Sequence, residues 1–188
     1  MATIRALTAA ALLVPEGARR QELLRLIDAE SSEVDALLAL AGPDDTSYGG
    51  EAVDVAGLVR SVIEPLVPTT EAALAVSETD VGPAEISRVA LRRILRNLVQ
   101  NAVRAAPDGR VEVRVRPGAQ VGARSSGGVT VEVADSGPGF GRGPRGLASQ
   151  GLSIVTELAA AVGGGVDIGR SELGGASVTV FLPSTQAG

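Results

Sequence analysis

Histidine and cysteine are both absent from the 188 residues. Without histidine, the chain has no histidine general base, no histidine metal ligand and no Ser-His-Asp triad. Without cysteine it has no disulfide and no thiolate metal site, which fits a reducing compartment. Tryptophan is also missing, and aromatic residues make up only 2% of the chain. A hydrophobic core must therefore consist of leucine, valine, isoleucine and alanine.

Long apolar runs are absent too, since none approaches the roughly 20 residues that span a bilayer. The N-terminal stretch "MATIRALTAAALLVPEG" faintly resembles a signal peptide. However, Arg5 and two threonines interrupt it, so an amphipathic helix is the better interpretation. The net charge of -5 argues against a nucleic-acid binder, which needs a basic surface. We therefore expect neither nucleic acid nor a membrane to contact this chain.

The residues that are present, 45% of them apolar and 21% charged, are typical of a soluble globular protein with a real core. Residues 1–42 predict a helical hairpin with one apolar seam on each helix. Doubling the hairpin into a four-helix bundle would bury both seams, although packing on the downstream domain is an alternative. Residues 43–53 are rich in turn formers and predict a linker, residues 54–184 the main domain, and residues 185–188 a tail.

The main domain alternates between helical and strand periodicity. Its predicted order is helix, strand, helix, strand, strand, helix and a terminal hairpin of two strands. The corresponding segments are residues 53–67, 71–78, the long helix around Asn97, 110–117, 128–137, 150–164 and 165–183. This arrangement predicts an α/β sandwich, in which one mixed, mostly antiparallel sheet carries its helices on one face.

The stretch "RRILRNLVQNAVRAAP" places two asparagines four residues apart on the long helix. On a helical wheel of about 100° per residue, Asn97, Asn101 and Arg104 form a narrow polar strip at the border of the apolar face. An asparagine carbonyl oxygen suits a hard cation such as Mg²⁺, and a nearby guanidinium suits phosphate. Ordinary hydrogen bonds at the boundary of the core are the alternative explanation.

Two glycine-containing stretches follow. In "VEVADSGPGF" an apolar strand runs into Asp135 and then a turn, where Gly137 and Gly139 permit close approach of a ligand. A carboxylate there can accept a hydrogen bond from an exocyclic amine, as adenine presents, although such turns are also common without a ligand. In "SQGLSIV", Gly151 opens a predicted helix whose N-terminal amides would suit phosphate.

Together, in this order and spacing, these features resemble the ATP-binding domain of the GHKL superfamily, specifically the catalytic domain of bacterial sensor histidine kinases. "LRNLVQNAVRAAP" is similar to the family's N box, "VADSGPGFG" to its G1 box, "SQGLSIVTELAAAVGGGVDI" to its G2 box, and "GGASVTVFLP" to its closing hairpin. The resemblance covers about residues 52–183. It implies a GHKL-type α/β sandwich with ATP and Mg²⁺ as cofactors.

The resemblance also implies a role for each matched position. Asn101 would be the Mg²⁺ ligand, with Asn97 beside it in the phosphate region, and Arg104 would contact phosphate. Asp135 would bind the adenine amino group. The remaining nucleotide-binding positions that it implies are Gly137, Gly139, Gly151 and Leu152.

The chain departs from the family pattern at several positions. Leu147 and Ser149 stand where the G2 box has glycines, and only ten residues, "GRGPRGLASQ", form the lid between Phe140 and Gly151. Ala176 and Ser177 stand where the closing hairpin commonly has threonines. We therefore expect ATP binding that is weaker or more open than in typical members.

Residues 1–42 resemble the dimerisation and phosphotransfer hairpin of these kinases, but the chain begins just after the position of their phosphoacceptor histidine. This predicts a fragment or a truncated natural chain that forms a homodimer, cannot phosphorylate itself on histidine, and would meet a response regulator as part of a full kinase. The resemblance implies a cytoplasmic location, either free or as part of a membrane-bound sensor. Two alternatives stay open: a degenerate GHKL-fold interaction module and an anti-sigma-type serine kinase.

Overall fold

A computed structural model describes residues 52–118, 127–140 and 147–184. The chain divides into two units, Met1–Thr46 and Ser47–Gly188, and all the described residues lie in the second. The predicted hairpin and tail, nearly all of the predicted linker and residues 141–146 of the predicted lid lie outside the described residues.

The described elements follow the predicted order closely. Two short strands and a 3₁₀ helix are additions that the sequence patterns did not predict. In chain order the elements are β1 (Ala52–Val53), α1 (Val55–Ile63), the 3₁₀ helix (Val67–Thr69), β2 (Ala73–Glu78), β3 (Ala84–Glu85), α2 (Arg88–Ala105), β4 (Arg110–Pro117), β5 (Gly128–Asp135), α3 (Leu147–Ala161), β6 (Gly165–Arg170) and β7 (Ala176–Pro183).

The main sheet has five strands in the order β2-β4-β5-β7-β6. Strands β2 and β4 are parallel, whereas the other three neighbouring pairs are antiparallel. Strands β1 and β3 form a separate antiparallel pair. These pairings confirm the predicted mixed, mostly antiparallel sheet.

One face of the sheet carries the core. Alternate residues of the central strands are buried there, as the two-residue repeat of a strand requires. These residues are Val111, Val113, Val115, Val129, Val131, Val133, Val180 and Leu182. Helix α2 packs over β4 and β5, and α3 over β6 and β7, with their apolar residues in the same core cluster. The helices therefore lie on one face, as predicted.

The opposite face of the sheet is polar. Arg114 on β4 donates to Glu112 at 2.5 Å and to Glu132 on β5 at 3.3 Å. The Ser177 hydroxyl donates to the same Glu132 carboxylate at 2.9 Å. The hydrogen bond with Glu112 is the main cause of a raised pKa for the Arg114 guanidinium. We refer to Glu112, Arg114, Glu132 and Ser177 as the outer network.

The starts of α1 and α2 and the end of α1 have identifiable causes. Helix α1 is capped by Asp54, whose side chain accepts from the Gly57 amide, and α2 by Ser87, which accepts from Ala90. Helix α1 ends at Ile63, four residues earlier than predicted, because Pro65 has no backbone N–H with which to continue the helical hydrogen bonds.

Candidate functional site

The two asparagines of α2 lie side by side, because residues four apart share one face of a helix. Both are half-buried. The Asn97 side-chain nitrogen donates to the Arg93 carbonyl one turn earlier, at 2.8 Å. Within the described residues the Asn101 amide makes no hydrogen bond. Asn97 is thus tied to its own helix, whereas Asn101 keeps its oxygen and nitrogen available.

Helix α3 covers this pair with Gly151, which is buried. A methyl group built on Gly151 would lie 3.0 Å from Asn101 Nδ2 and 3.2 Å from Asn97 Oδ1. These distances are shorter than an ordinary van der Waals contact. The structure therefore brings together three of the predicted site residues, Asn97, Asn101 and Gly151.

The prediction that Gly151 opens its helix is wrong. Helix α3 begins at Leu147, so Gly151 is its fifth residue. The reason is the residue types from Leu147 to Gln150, which contain no glycine and permit helix, whereas the family pattern has glycines there. The unpaired amides of the first helical turn consequently precede Gly151.

Asp135, the last residue of β5, is buried at 5% exposure. Its Oδ1 accepts two backbone hydrogen bonds, from Gly137 at 2.8 Å and from Ala176 at 3.2 Å. Its carbonyl accepts a third, from Gly175 at 3.1 Å. In the described part of the chain Oδ2 accepts no hydrogen bond. One carboxylate oxygen is therefore fixed by the fold, and the other stays available to a donor.

The turn after Asp135 packs against the end of α2. A methyl group on Gly137 would collide with the Ala105 carbonyl, so only glycine permits this approach. Ser136 joins the turn to the start of β4, because its hydroxyl accepts from the Arg110 amide at 2.9 Å and its own amide donates to the Arg110 carbonyl at 3.0 Å. Asp135 is thereby held near the C-terminal turn of α2.

Gly175 and Ala176 hold Asp135 in place through backbone hydrogen bonds, and the sequence patterns did not identify either as a site position. Both use only backbone amides, so residue type gives little signal; the paired glycines before β7 were the available hint. A methyl group on Gly175 would collide with Asp135 Oδ1 and lie 2.6 Å from the Gly137 nitrogen. Ser177, in contrast, directs its hydroxyl to Glu132 in the outer network.

The other predicted positions are more dispersed. Arg104 is exposed in the last turn of α2, three residues after Asn101, and Leu152 is half-buried on α3 beside Gly151. Gly139 has a φ of 83°, which favours glycine. It lines a cleft of about 350 Å³ together with Phe140 and with residues of β6. Among the described residues, none from α2 lines this cleft. The structure therefore does not bring Gly139 to the asparagine pair.

The side chains at this site suit a metal ion that takes most of its ligands from water and a bound nucleotide. Across the described ranges no group of three or more carboxylate, histidine or cysteine side chains could hold an ion by itself. An asparagine oxygen can supply one position to Mg²⁺, which usually keeps waters and takes substrate phosphate oxygens. Asn101 fits this role because its amide has no protein partner among the described residues.

Residues 86–186, more than half of the chain, match the family model of histidine kinase-, DNA gyrase B- and HSP90-like ATPases. The chain belongs to this ATPase family. A comparison with curated protein sequences gave no match.

Histidine kinases are among the solved structures with a similar fold. The cytoplasmic segment of histidine kinase QseC is 23% identical with a TM-score of 0.60, and the match covers 92% of this chain and 99% of that one. Histidine kinase AdeS of Acinetobacter baumannii is 18% identical with a TM-score of 0.62, covering 97% of this chain and 93% of that one. Full-length ShkA in complex with AMPPNP is 25% identical with a TM-score of 0.62, covering 98% of this chain and 44% of that one.

No helix within the described residues is long and apolar enough to cross a membrane.

Proposed function

We propose that this chain is the ATP-binding catalytic module of a two-component sensor histidine kinase. One observation carries the proposal: Asp135 is buried at the end of β5 with Oδ1 fixed by two backbone amides and Oδ2 available. No buried side-chain oxygen of the described residues lacks a hydrogen-bond partner, so Oδ2 is accessible from outside, and a ligand that donates a hydrogen bond to it gains affinity and selectivity. The exocyclic amine of adenine is such a donor.

The phosphates of the nucleotide would lie toward α2. Arg104 follows Asn101 by three residues on the same helix, so a guanidinium and an amide oxygen are presented together. In this proposal Arg104 contacts phosphate, and Asn101 supplies one oxygen ligand to a Mg²⁺ ion. Bound Mg²⁺ would neutralise phosphate charge and help to orient the γ-phosphoryl group.

The acceptor of the phosphoryl group lies outside these 188 residues, because they contain no histidine. In the proposed role Asn101, Arg104 and Asp135 position ATP, and catalysis consists of positioning and charge neutralisation. A homodimer through residues 1–42, a response regulator as partner and a cytoplasmic location belong to the same proposal. The ShkA structure, in complex with AMPPNP, supports a nucleotide as the ligand of this fold.

Isothermal titration of the chain with a non-hydrolysable ATP analogue, with and without Mg²⁺, tests the proposal. We expect binding that Mg²⁺ strengthens, loss of the Mg²⁺ effect in Asn101→Ala, and loss of most affinity in Asp135→Ala. The proposal fails if the parent does not bind at millimolar nucleotide, or if both variants bind like the parent.

A GHKL-fold interaction module without ATP binding is the second candidate. The observation that favours it is the start of α3 at Leu147, because this helix begins where the family pattern has glycines. Dimers in solution that have no measurable nucleotide affinity would favour this candidate over the kinase module.

A further inference from the structure

We infer that Gly151 is a positioning residue: because it has no side chain, α3 can approach α2 closely enough to fix the orientation of the Asn101 amide. This inference rests on the proposed function, since the amide it positions is the proposed Mg²⁺ ligand. It gives Gly151 a role in the interior of its helix, separate from any contact of a helix start with phosphate.

The backbone conformation of α3 does not explain the glycine. The described glycines with a left-handed φ are Gly127, Gly139, Gly163 and Gly174, and Gly151 is not among them. An alanine at the fifth position of a helix would be preferred, because glycine is a poor helix former in a helix interior. The reason for glycine must therefore be found in what surrounds it.

Its surroundings are the two asparagine amides. A methyl group at residue 151 would lie 3.0 Å from Asn101 Nδ2 and 3.2 Å from Asn97 Oδ1. The alanine that helix propensity favours would therefore fit only if a neighbour moved. Both contacts fall on site residues, so the glycine preserves their arrangement.

The two neighbours differ in how they would respond. Asn97 donates to the Arg93 carbonyl at 2.8 Å, which opposes its rotation. Asn101 makes no hydrogen bond among the described residues, so its orientation depends on packing against α3. A methyl group at residue 151 would therefore rotate the Asn101 amide first, and the direction of its oxygen, the proposed Mg²⁺ ligand, would change.

The chain offers a matched control. Gly165 has an ordinary φ, and a methyl group built on it would meet no atom within 4 Å. Gly165→Ala therefore makes the same chemical change without a contact to the asparagines.

The experiment compares the parent, Gly151→Ala and Gly165→Ala by isothermal titration with an ATP analogue at several Mg²⁺ concentrations. Thermal unfolding and the ¹⁵N–¹H spectrum of the asparagine side-chain amides are recorded without nucleotide. In Gly151→Ala we expect an unchanged Tm or a higher one, displaced Asn101 amide resonances and unchanged affinity without Mg²⁺. The gain in affinity caused by Mg²⁺ falls about tenfold, as is typical when a residue that orients a metal ligand is altered. Gly165→Ala behaves like the parent.

Double variants decide whether the effect passes through Asn101. Gly151→Ala added to Asn101→Ala causes no further loss of the Mg²⁺ effect, because both changes act on one amide. Should Gly151→Ala alone fail to fold, Asn101→Ala in the same chain restores folding by removing the contact, and failure to restore it overturns the inference.

The remaining outcomes separate the two proposals. A parent chain that binds with a Mg²⁺ effect, together with a Gly151→Ala variant that keeps this effect and the parent amide resonances, overturns the positioning role alone. A parent chain that binds no nucleotide overturns the proposed function and this inference with it.

Discussion

The two ends of the candidate site are held in different ways. At one end, Asp135 receives three hydrogen bonds from backbone amides, two at Oδ1 and one at its carbonyl. At the other end, Asn101 receives none from the described residues, and we infer that the close approach of Gly151 orients its amide. We call these the carboxylate end and the amide end.

This difference indicates what holds each end in place. Backbone hydrogen bonds from two other segments fix one oxygen of Asp135, so the carboxylate end is organised by the sheet itself. An amide that packing alone holds keeps its oxygen available, which suits a ligand of Mg²⁺, because this ion also keeps waters. The following substitutions alter first the carboxylate end, then the amide end, and finally a region outside the site.

The largest effect is expected from Gly175→Ala at the carboxylate end. A methyl group there collides with Asp135 Oδ1 and approaches the Gly137 nitrogen at 2.6 Å, so backbone must move. We expect a loss of about 1–3 kcal/mol in the free energy of unfolding, as for overpacked sites, and loss of nucleotide binding. Urea denaturation and isothermal titration measure the two quantities. Gly169→Ala, in open space in the same hairpin, is the control, and equal stability of the two variants would contradict the account.

A smaller effect is expected from Asn101→Asp at the amide end. The change keeps the size of the side chain and adds a negative charge near the proposed phosphates. Nucleotide affinity without Mg²⁺ should fall about fivefold, since two like charges about 4 Å apart repel by about 1 kcal/mol in a water-like dielectric. With Mg²⁺ the affinity should recover, because a carboxylate is a good ligand of this ion. Titrations with and without Mg²⁺ measure the effect, and equal losses in both would contradict a metal role for this residue.

The smallest effect on binding is expected from Arg114→Met in the outer network. The Arg114 side chain is 15% exposed and bonded to two glutamates, so its loss removes their shared cation and leaves Glu132 with only the Ser177 hydroxyl of the outer network. We expect the free energy of unfolding to fall by about 1 kcal/mol and nucleotide affinity to stay at the parent value. Arg116→Met is the control, because Arg116 is 57% exposed and 4.0 Å from Glu132. A changed affinity in Arg114→Met would show that the outer face acts on the site.

Periodicity was sufficient to predict most of the fold. Strands β4 and β5 alternate strictly because one face is buried, and α2 shows a clear apolar face, so these elements follow from the sequence. The parallel pairing of β2 with β4 was not predicted, because the direction of pairing depends on the connection through α2 and not on the pattern of either strand. The two-residue strands β1 and β3 are too short to show a repeat.

The sequence likewise identified only some of the residues at the candidate site. Asp135, Asn97 and Asn101 are polar residues beside apolar patterns, so the sequence identifies them as candidates. Gly175 and Ala176 act on Asp135 through backbone amides across about forty residues of chain, so no pattern of side chains identifies them. The predicted start of α3 at Gly151 is too late, because glycine is a poor helix former and suggested a boundary, whereas residues 147–150 permit helix.

The central claim is that Asp135 Oδ2 recognises an exocyclic amine, and the preference for ATP over ITP tests it most directly. ITP carries a carbonyl oxygen in place of that amine. In Asp135→Asn, Oδ1 can keep both backbone hydrogen bonds while Nδ2 replaces the acceptor by a donor. We predict that the parent binds ATP at least about tenfold more tightly than ITP and that Asp135→Asn loses or reverses this preference. The same ratio of ATP to ITP affinity in both proteins would contradict the account.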